Sequence, residues 1–441
     1  MAGGTFVTQN KVRPGAYINF KGINKGDSIK GQRGIVALAM SLPFGEEHKF
    51  VKITAEDMSN GRAEYLIGMK ESDVEAKVIN LALQNAKEVL LYRLNSAGVK
   101  ATATIGGIKA TAKYPGKAGN LISLEVKELD TSTFQVITYF KNSQKDVQNV
   151  RAIAELKTND FVTFEGTGAI STSVATLLTT GKDGAIAEGD YTAYLTAVES
   201  EKFNVISGYL MSDQNKIVTL VRKMREEQGK KVQGVIKSTA SSINYEGIIQ
   251  TKNQGYSTAN YSVDEDEFLV WLAGATAGAG TVESNTYKVV ENAIDIINPV
   301  KENEIISNLE KGYLLLTKRR NGDVVIEKDI NTLVSFGADK NSSFQKNRIV
   351  RILDDISNYA SETFENNFIG KVNNEETGRD LYKSAIIQYV NSLVNLGAVQ
   401  NFNSQKDIEV AKGNDADSMI LYLSIQPIDS LEKLYMTVEV K

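Results

Sequence analysis

The residue types that most often carry out chemistry are scarce in this chain. Its 441 residues include no cysteine and a single histidine, His48. Without cysteine there can be no disulfide, no thiolate metal site and no cysteine nucleophile. His48 lies in the segment PFGEEHKF, where Glu46 and Glu47 are close along the chain instead of one helical turn away. We interpret His48 as a surface-loop residue in preference to a catalytic or metal-binding one.

Two other stretches invite a functional interpretation. The acidic run SVDEDEF (Ser262 to Phe268) leads directly into an apolar helix, whereas a calcium loop alternates its carboxylates with Gly and Asn. Ser262 and Glu265 therefore predict a capping box. The stretch AGATAGAG (Ala273 to Gly280) lacks the Gly-Lys-Ser/Thr ending of a phosphate loop. We expect its small residues to form a closely packed helix face.

The sequence predicts no enzymatic centre. A Ser–His–Asp triad would have to use His48, and no G-x-S-x-G elbow is present. We therefore expect no catalytic residues, no metal site and no cofactor. The net charge of −4 and the absence of a basic patch argue against nucleic acid and anionic membranes as partners. The first ten residues lack the pattern of a signal peptide, and no apolar stretch of about 18 residues occurs.

Hydrophobic periodicity divides the chain into regions. Up to about residue 95, apolar strands flank a helix, and from there to about 181 short alternating segments predict a β-sandwich or barrel. From about 184 to 337 strands and helices alternate again, which favours an α/β architecture. Two helices then follow, and in the second the apolar stripe is predicted at Leu381, Ala385, Tyr389 and Leu396.

Both ends of the chain carry strand patterns. In the final segment LEKLYMTVEVK, apolar residues alternate with polar or amphipathic ones, which predicts a strand with one apolar face. The apolar positions are Leu434, Met436, Val438 and Val440, and those between them are Tyr435, Thr437 and Glu439. Near the start, Ala16, Ile18 and Phe20 alternate with Tyr17 and Asn19. Chain ends are usually frayed, so a patterned terminal strand suggests a partner elsewhere.

Several segments resemble a known family. They are FVTQNKVRPGAYINF, WLAGATAGAG, DINTLVSF followed by FQKNRIVRILDDI, FIGKVNN and EKLYMTVEV. In this order they are similar to contractile tail sheath proteins, especially those of PBSX-like phages and of phage-tail-like bacteriocins. The similarity extends from about Phe6 to Val440.

The resemblance implies a multidomain α/β protein. It implies an α/β core formed by both ends of the chain, with an inserted β-sandwich, a subtilisin-like α/β domain and extended N- and C-terminal strand arms. The expected parts are 1–22 (N-terminal arm), 23–95 (N-terminal part of the core), 96–182 (β-sandwich), 183–337 (subtilisin-like), 338–428 (C-terminal core) and 429–441 (C-terminal arm). Subtilisin-like refers to the fold alone, because 183–337 contains no histidine.

The resemblance also implies a structural function. Sheath subunits polymerise as stacked hexameric rings around an inner tail tube and contract to drive that tube through a target cell envelope. Expected partners are further copies of the chain, the tube protein, and the baseplate and tail terminator proteins, with assembly in the bacterial host cytoplasm and incorporation into a phage or bacteriocin particle. No direct insertion into a membrane is expected.

The two terminal arms would join neighbouring subunits. The candidates for strand addition to a neighbour are Ala16, Tyr17, Ile18, Asn19 and Phe20 at one end, and Leu434, Tyr435, Met436, Thr437, Val438, Glu439 and Val440 at the other. Loops 21–33 and 426–430 would act as hinges during contraction. Gly22, Gly26 and Gly31 would make the first loop pliable.

Three alternatives remain open at this stage. A tail tube or capsid-type protein is disfavoured by the chain length and the β insertion. A hydrolase on an α/β scaffold is disfavoured because the α/β segment lacks histidine. A cell-surface adhesin, suggested by the β region, is disfavoured because no signal peptide is predicted.

Overall fold

The computed structural model describes residues 34–239, 242–337 and 340–440, and the backbone of 2–4 and 15–17. It contains two units, Met1–Gln32 and Arg33–Lys441. In the first unit, two short strands pair in parallel, with Gly3 opposite Ala16 and Gly4 opposite Tyr17. The predicted arm residues Ile18, Asn19 and Phe20, and the predicted hinge glycines Gly22, Gly26 and Gly31, lie outside the described residues.

The strands, numbered in chain order over the described residues, are β1 Ala2–Gly4, β2 Gly15–Tyr17, β3 Ile35–Met40, β4 Phe50–Ile53, β5 Glu88–Arg93, β6 Thr102–Ile105, β7 Ile108–Ala112, β8 Ile122–Asp130, β9 Thr133–Phe140, β10 Ser143–Val150, β11 Val162–Glu165, β12 Ser173–Leu177, β13 Val205–Ser207, β14 Gln233–Ile236, β15 Ile248–Thr251, β16 Gly255–Ser257, β17 Ser262–Val263, β18 Asp295–Ile297, β19 Tyr313–Leu314, β20 Leu316–Lys318, β21 Val324–Ile326, β22 Val399–Gln400, β23 Ile408–Lys412, β24 Met419–Leu423 and β25 Gln426–Pro427.

The helices are α1 Ala55–Ser59, α2 Arg62–Ile67, α3 Lys77–Leu83, α4 Glu188–Val198, α5 Asn215–Arg222, α6 Glu265–Gly278, α7 Glu302–Glu310, α8 Asn347–Asn367 and α9 Glu376–Asn395. A π-helical turn, Lys223–Glu227, continues α5. Within the described parts of the chain, none of these helices combines the length and the apolar character that a bilayer crossing requires.

The largest sheet has seven strands in the order β19-β15-β14-β13-β3-β5-β4. Neighbouring strands are parallel except β4, which is antiparallel to β5. Runs such as IVALAM in β3 are continuously apolar because helices cover both faces of a parallel sheet. Val36 belongs to the buried cluster that includes α6, and the next residue, Ala37, belongs to the cluster that includes α5.

This sheet unites two regions that the resemblance had placed in separate parts of the molecule. β3, from the expected N-terminal part of the core (23–95), pairs with β13, from the expected subtilisin-like part (183–337). That residues 23–95 form a core with the C-terminal region stays a prediction. The Asn204 side chain strengthens the junction by accepting hydrogen bonds from the backbone N–H groups of Gly34 and Ile35, at 2.9 and 3.0 Å. The subtilisin-like character of 183–337 stays a prediction.

A β-rich region lies between β5 and α4, which confirms the predicted β insertion. Its two sheets have the orders β10-β9-β8-β12 and β11-β7-β6. Alternate residues of both sheets fill one apolar core, as in a sandwich. Phe44 from the preceding α/β region enters this core, with its ring 5.0 Å from Tyr114 and 6.0 Å from Phe161. The inserted β-rich region is therefore packed against the preceding α/β region, in addition to being connected to it through the chain.

Helix α6 is buried on all sides along most of its length, and its small residues allow a close approach of other backbone. A Cβ atom added at Gly274 would lie 2.4 Å from the carbonyl oxygen of Ala82, and one at Gly278 would lie 1.9 Å from that of Asn85. The prediction of a closely packed small-residue face is thereby confirmed.

The capping box of α6 lies two residues after the predicted pair. Ser262 belongs to β17 and Glu265 is the first helical residue. The box consists of Asp264, whose Oδ1 accepts from the Glu267 N–H at 2.9 Å, while its own N–H donates to Glu267 Oε2 at 3.1 Å. The acidic run contains more than one pair of residues at the spacing of a capping box. Because Ser262 is part of β17, the box forms from Asp264 and Glu267.

The C-terminal region packs α8 and α9 against β22 to β25. The predicted stripe of α9 is wrong at both ends, where Leu381 is 56% exposed and Leu396 is 37% exposed. The buried residues are Gly378, Tyr382, Ile386, Val390 and Leu393. α9 carries two apolar stripes that are offset by one residue along the chain. The second, which includes Tyr382 and Ile386, is the one that packs in the core with α8. Tyr389, from the predicted stripe, stacks on Tyr359 of α8 at 3.9 Å between ring centroids.

A buried ion pair joins α8 to the π-helical turn that follows α5. Arg225, in the π-helical turn, donates from both terminal nitrogens to the Asp354 carboxylate at 2.6 and 2.8 Å, and both side chains are almost fully buried. Burial alone would lower the pKa of Arg225, but the Asp354 carboxylate outweighs burial and raises that pKa above its usual value. Arg225 therefore keeps its charge inside the protein.

Candidate assembly segments

The single histidine makes structural contacts. His48 Nε2 lies 3.0 Å from Asp190 Oδ1, and the imidazole stacks on Tyr92 with 6.2 Å between the ring centroids. Its side chain is 42% exposed. Over the described residues, no group of three or more His, Asp or Glu side chains could hold a metal ion. The expectation of a loop histidine is confirmed, although its acidic partner comes from α4 and not from Glu46 or Glu47.

The C-terminal segment 428–440 belongs to no strand of the described chain, although its sequence is patterned as one. From Leu434 onward its apolar side chains face solvent: the exposed fraction is 82% for Leu434, 74% for Met436, 70% for Val438 and 93% for Val440. Burying each such side chain would contribute about 1.5–3 kcal/mol. Contiguous exposed apolar surface of this kind marks an interaction site.

The segment leaves the body beside a short pair of strands. β25 pairs with β22, with Gln426 opposite Gln400. Directly after β25, the Ile428 N–H donates to the Ala398 carbonyl at 2.8 Å. The predicted hinge 426–430 is therefore partly held by backbone hydrogen bonds, and a free hinge can begin only after Ile428.

A group of charged and polar side chains holds the next residues. The Glu432 carboxylate accepts a hydrogen bond from Lys346 Nζ and another from Thr286 Oγ1 at 2.9 Å. Lys346 Nζ also lies 3.5 Å from Asp429 Oδ2. Sequence reasoning missed this group because its members are 86 and 146 residues apart in the chain. No local signal connects them.

A buried polar network lies directly behind this group. The Asp329 carboxylate accepts from Arg351 Nη2 at 3.0 Å, from Asn347 Nδ2 at 2.8 Å and from the Asn285 N–H at 3.0 Å. The Asp329 N–H donates to Thr286 Oγ1 at 3.0 Å. The Thr286 hydroxyl thus joins the buried network to the Glu432 carboxylate, because it accepts on one side and donates on the other.

The hairpin of β23 and β24 is an open sheet edge near the same end of the chain. Its two strands pair over five residues, from Ile408 opposite Leu423 to Lys412 opposite Met419. Among the described residues, neither strand pairs with a third one. Tyr422 is 63% exposed and Ile420 is 38% exposed. An unpaired edge with exposed apolar side chains can accept another strand.

The two predicted arms are thus placed differently. Ala16 and Tyr17 lie in β2, which pairs with β1 of its own chain. The C-terminal residues Leu434 to Val440 pair with nothing in the described chain. Addition of either arm to a neighbouring subunit stays a prediction.

Family models match almost the whole chain in four consecutive ranges. They describe the Gp18 domain III N-terminal region of tail sheath protein at 33–94, the phage tail sheath protein β-sandwich domain at 96–183, the phage tail sheath protein central domain at 184–332 and the phage tail sheath C-terminal domain at 339–441.

Individual proteins give the same result. The chain is 36% identical to the phage-like element PBSX protein XkdK of Bacillus subtilis, over the full length of both. The crystal structure of a sheath tail protein from Desulfitobacterium hafniense is 37% identical, with a TM-score of 0.80 over 95% of this chain and 98% of that one. The contracted helical sheath of the anti-feeding prophage shares the fold at 12% identity, with a TM-score of 0.56 over 97% and 99% of the two chains. This chain therefore belongs to the phage tail sheath family, whose members are structural proteins and not enzymes.

Proposed function

We propose that the protein polymerises as stacked hexameric rings around an inner tail tube and that contraction of this sheath drives the tube through a target cell envelope. Family membership supports the sheath role, and the likeness to a contracted sheath supports a contractile one. The proposed partners are other copies of the chain, the tube protein, and the baseplate and tail terminator proteins. Assembly would take place in the host cytoplasm before incorporation into a phage or bacteriocin particle.

One observation carries the proposal of self-association: the patterned segment Leu434 to Val440 has no partner among the described residues. Its backbone groups and apolar side chains are open to solvent. In an isolated protein such a strand is an aggregation hazard. In a protein that polymerises, the same features supply backbone hydrogen bonds and an apolar face to a neighbour. The open hairpin of β23 and β24 is the acceptor we propose.

The N-terminal arm is proposed as a second connector. It would comprise Ala16, Tyr17, Ile18, Asn19 and Phe20, followed by a hinge at Gly22, Gly26 and Gly31. Contacts between different surfaces of neighbouring copies can propagate as rings or open helices. The proposed domain division near residues 95, 182 and 337 is supported by the ranges of the four family models. The proposed divisions at 22 and 428, which would separate the arms from the body, rest on the resemblance alone.

Negative-stain microscopy of the purified full-length chain, alone and mixed with the tube protein of the same particle, tests the proposal. A sheath should form wide striated cylinders, and the tube protein should appear as a separate, narrower cylinder inside them. Monomers under all conditions, or narrow tubes formed by this chain itself, would contradict a sheath.

A further inference from the structure

Glu432 is the last residue of the described C-terminal segment whose side chain has a hydrogen bond or an ion pair to the folded body. The Glu432 side chain is 14% exposed, and that of its partner Lys346 is 17% exposed. From Leu434 to Val440 the apolar side chains are at least 70% exposed. The boundary between the held and the free parts of the segment therefore falls between two adjacent residues, Glu432 and Lys433.

The partners of Glu432 are themselves firmly held. Lys346 directly precedes α8, and its carbonyl accepts the first-turn hydrogen bond from the Val350 N–H at 3.0 Å. Thr286 is fixed by the hydrogen bond from the Asp329 N–H. Asp329 is in turn paired with Arg351, and both side chains are at most 1% exposed. Glu432 is thus bonded to residues that are themselves hydrogen-bonded to a buried ion pair and to the first turn of α8.

We propose that Lys346, Thr286 and Glu432 form a clasp that sets where the C-terminal segment leaves the body and how far it reaches. With the clasp closed, residues 433–440 are free, and at about 3.3 Å per residue they span roughly 26 Å. With the clasp open, the segment is free after Ile428, and residues 429–440 span roughly 40 Å. The inference rests on the proposed role of this segment as a connector between subunits.

The charges around the clasp favour the closed state. Lys346 Nζ faces two carboxylates, Glu432 and Asp429, the second at 3.5 Å. Lys328 also lies close to these groups. Burial and then the charge of Lys346 lower the pKa of Lys328, whereas the carboxylates of Glu432 and Asp429 act to raise it, so both carboxylates attract this second lysine as well. Because the central pair is mostly shielded from solvent, salt screens it less than an exposed pair. A neighbouring subunit that pulls on the segment would have to break these contacts to gain the longer reach.

Trypsin cleavage after Lys433 reports the open state in the unassembled subunit. The protease must accommodate residues on both sides of the bond, so the segment around Glu432 has to leave its clasp first. Lys346→Met removes the cation and leaves the cleaved sequence unchanged. We expect cleavage after Lys433 to accelerate by about tenfold, because a charge-assisted hydrogen bond is lost.

Two further variants make the experiment decisive. Lys109→Met removes an exposed surface pair, Lys109–Glu165, and should leave the cleavage rate unchanged. Glu432→Gln removes the carboxylate of the clasp. Because this change lies next to the cleaved bond, the cleavage rates of the variant and of the wild type are each divided by the rate for a free peptide of the same sequence. If Lys346→Met unfolds, as thermal unfolding would reveal, Glu432→Gln decides the matter. Equal cleavage rates in the wild type and in every folded clasp variant would overturn the clasp.

The result is independent of whether the segment connects subunits. Cleavage is measured on monomers, so a connector role that fails in assembly experiments leaves the clasp measurement intact. A confirmed clasp should also affect assembly: Lys346→Met should give fewer or irregular cylinders than Lys109→Met. Normal cylinders from a variant with rapid cleavage would overturn the claim that the clasp positions the connector.

Discussion

Helix α6 and the segment Leu434 to Val440 are both rich in apolar residues, yet they lie in opposite environments. In α6, ten consecutive residues from Phe268 to Ala277 are buried. In the segment Leu434 to Val440, every apolar side chain is at least 70% exposed. The difference shows that apolar composition alone does not decide burial. α6 packs closely against α3 and the residues that follow it, whereas Leu434 to Val440 have no strand partner among the described residues.

The comparison separates two kinds of residue. Changes in the packed body should affect the free energy of unfolding, and assembly only as a consequence. Changes in the exposed segment should leave the free energy of unfolding unchanged and affect assembly directly.

The largest expected loss of stability follows from Arg225→Met. It removes the guanidinium that pairs with Asp354 and leaves a buried carboxylate without that cation. We expect the free energy of unfolding to fall by about 3–5 kcal/mol. Urea unfolding followed by circular dichroism measures it, with Lys109→Met at an exposed pair as the control, where the expected change is below about 1 kcal/mol. Similar losses in the two variants would contradict a structural role for the buried pair.

A smaller loss is expected from Gly278→Ala in α6. The added methyl group would lie 1.9 Å from the Asn85 carbonyl oxygen, so backbone has to shift. We expect a loss of about 1–3 kcal/mol in the free energy of unfolding. Gly280→Ala is the matched control, since its methyl group would meet only the Glu283 side chain, at 3.5 Å. If both variants unfold at the same urea concentration, the close approach of α6 is not a constraint.

In the exposed segment, Met436→Ser should change the free energy of unfolding by no more than about 0.5 kcal/mol, because the side chain is already in solvent. Assembly should suffer, since Met436 belongs to the apolar face proposed to meet a neighbour. Thr437→Ser, on the opposite face, is the control. The measurement is the fraction of protein that sediments as cylinders, and equal fractions would argue against a one-sided strand.

Hydrophobic periodicity predicted which segments form strands and helices better than it predicted which other elements they pack against. The apolar run in β3 and the alternation in the β-rich region predicted strands that the structure contains. The pairing of β3 with β13 was not predictable, because Val36 and Val205 are far apart in the chain and each strand is apolar on both faces. The stripe of α9 was wrong at its ends for a related reason: contacts with α8 and with the neighbouring strands β22 and β23 distinguish Tyr382 from Leu381.

The candidate segments were predicted with similar limits. The alternation from Leu434 to Val440 indicated a strand, and the structure shows these side chains in solvent. The contacts of Glu432 with Lys346 and Thr286 could not be predicted from the sequence, because contacts between residues far apart in the chain produce no periodic pattern. The partner of Arg225 was missed in the same way, because Asp354 is 129 residues away in the chain.

Deletion of Leu434 to Lys441 tests most directly the claim that the C-terminal segment connects subunits. Because the segment has no strand partner among the described residues, the shortened chain should fold and unfold like the full-length protein. Negative-stain microscopy should then show cylinders for the full-length chain and none for the shortened one. Normal cylinders from the shortened chain would contradict the connector.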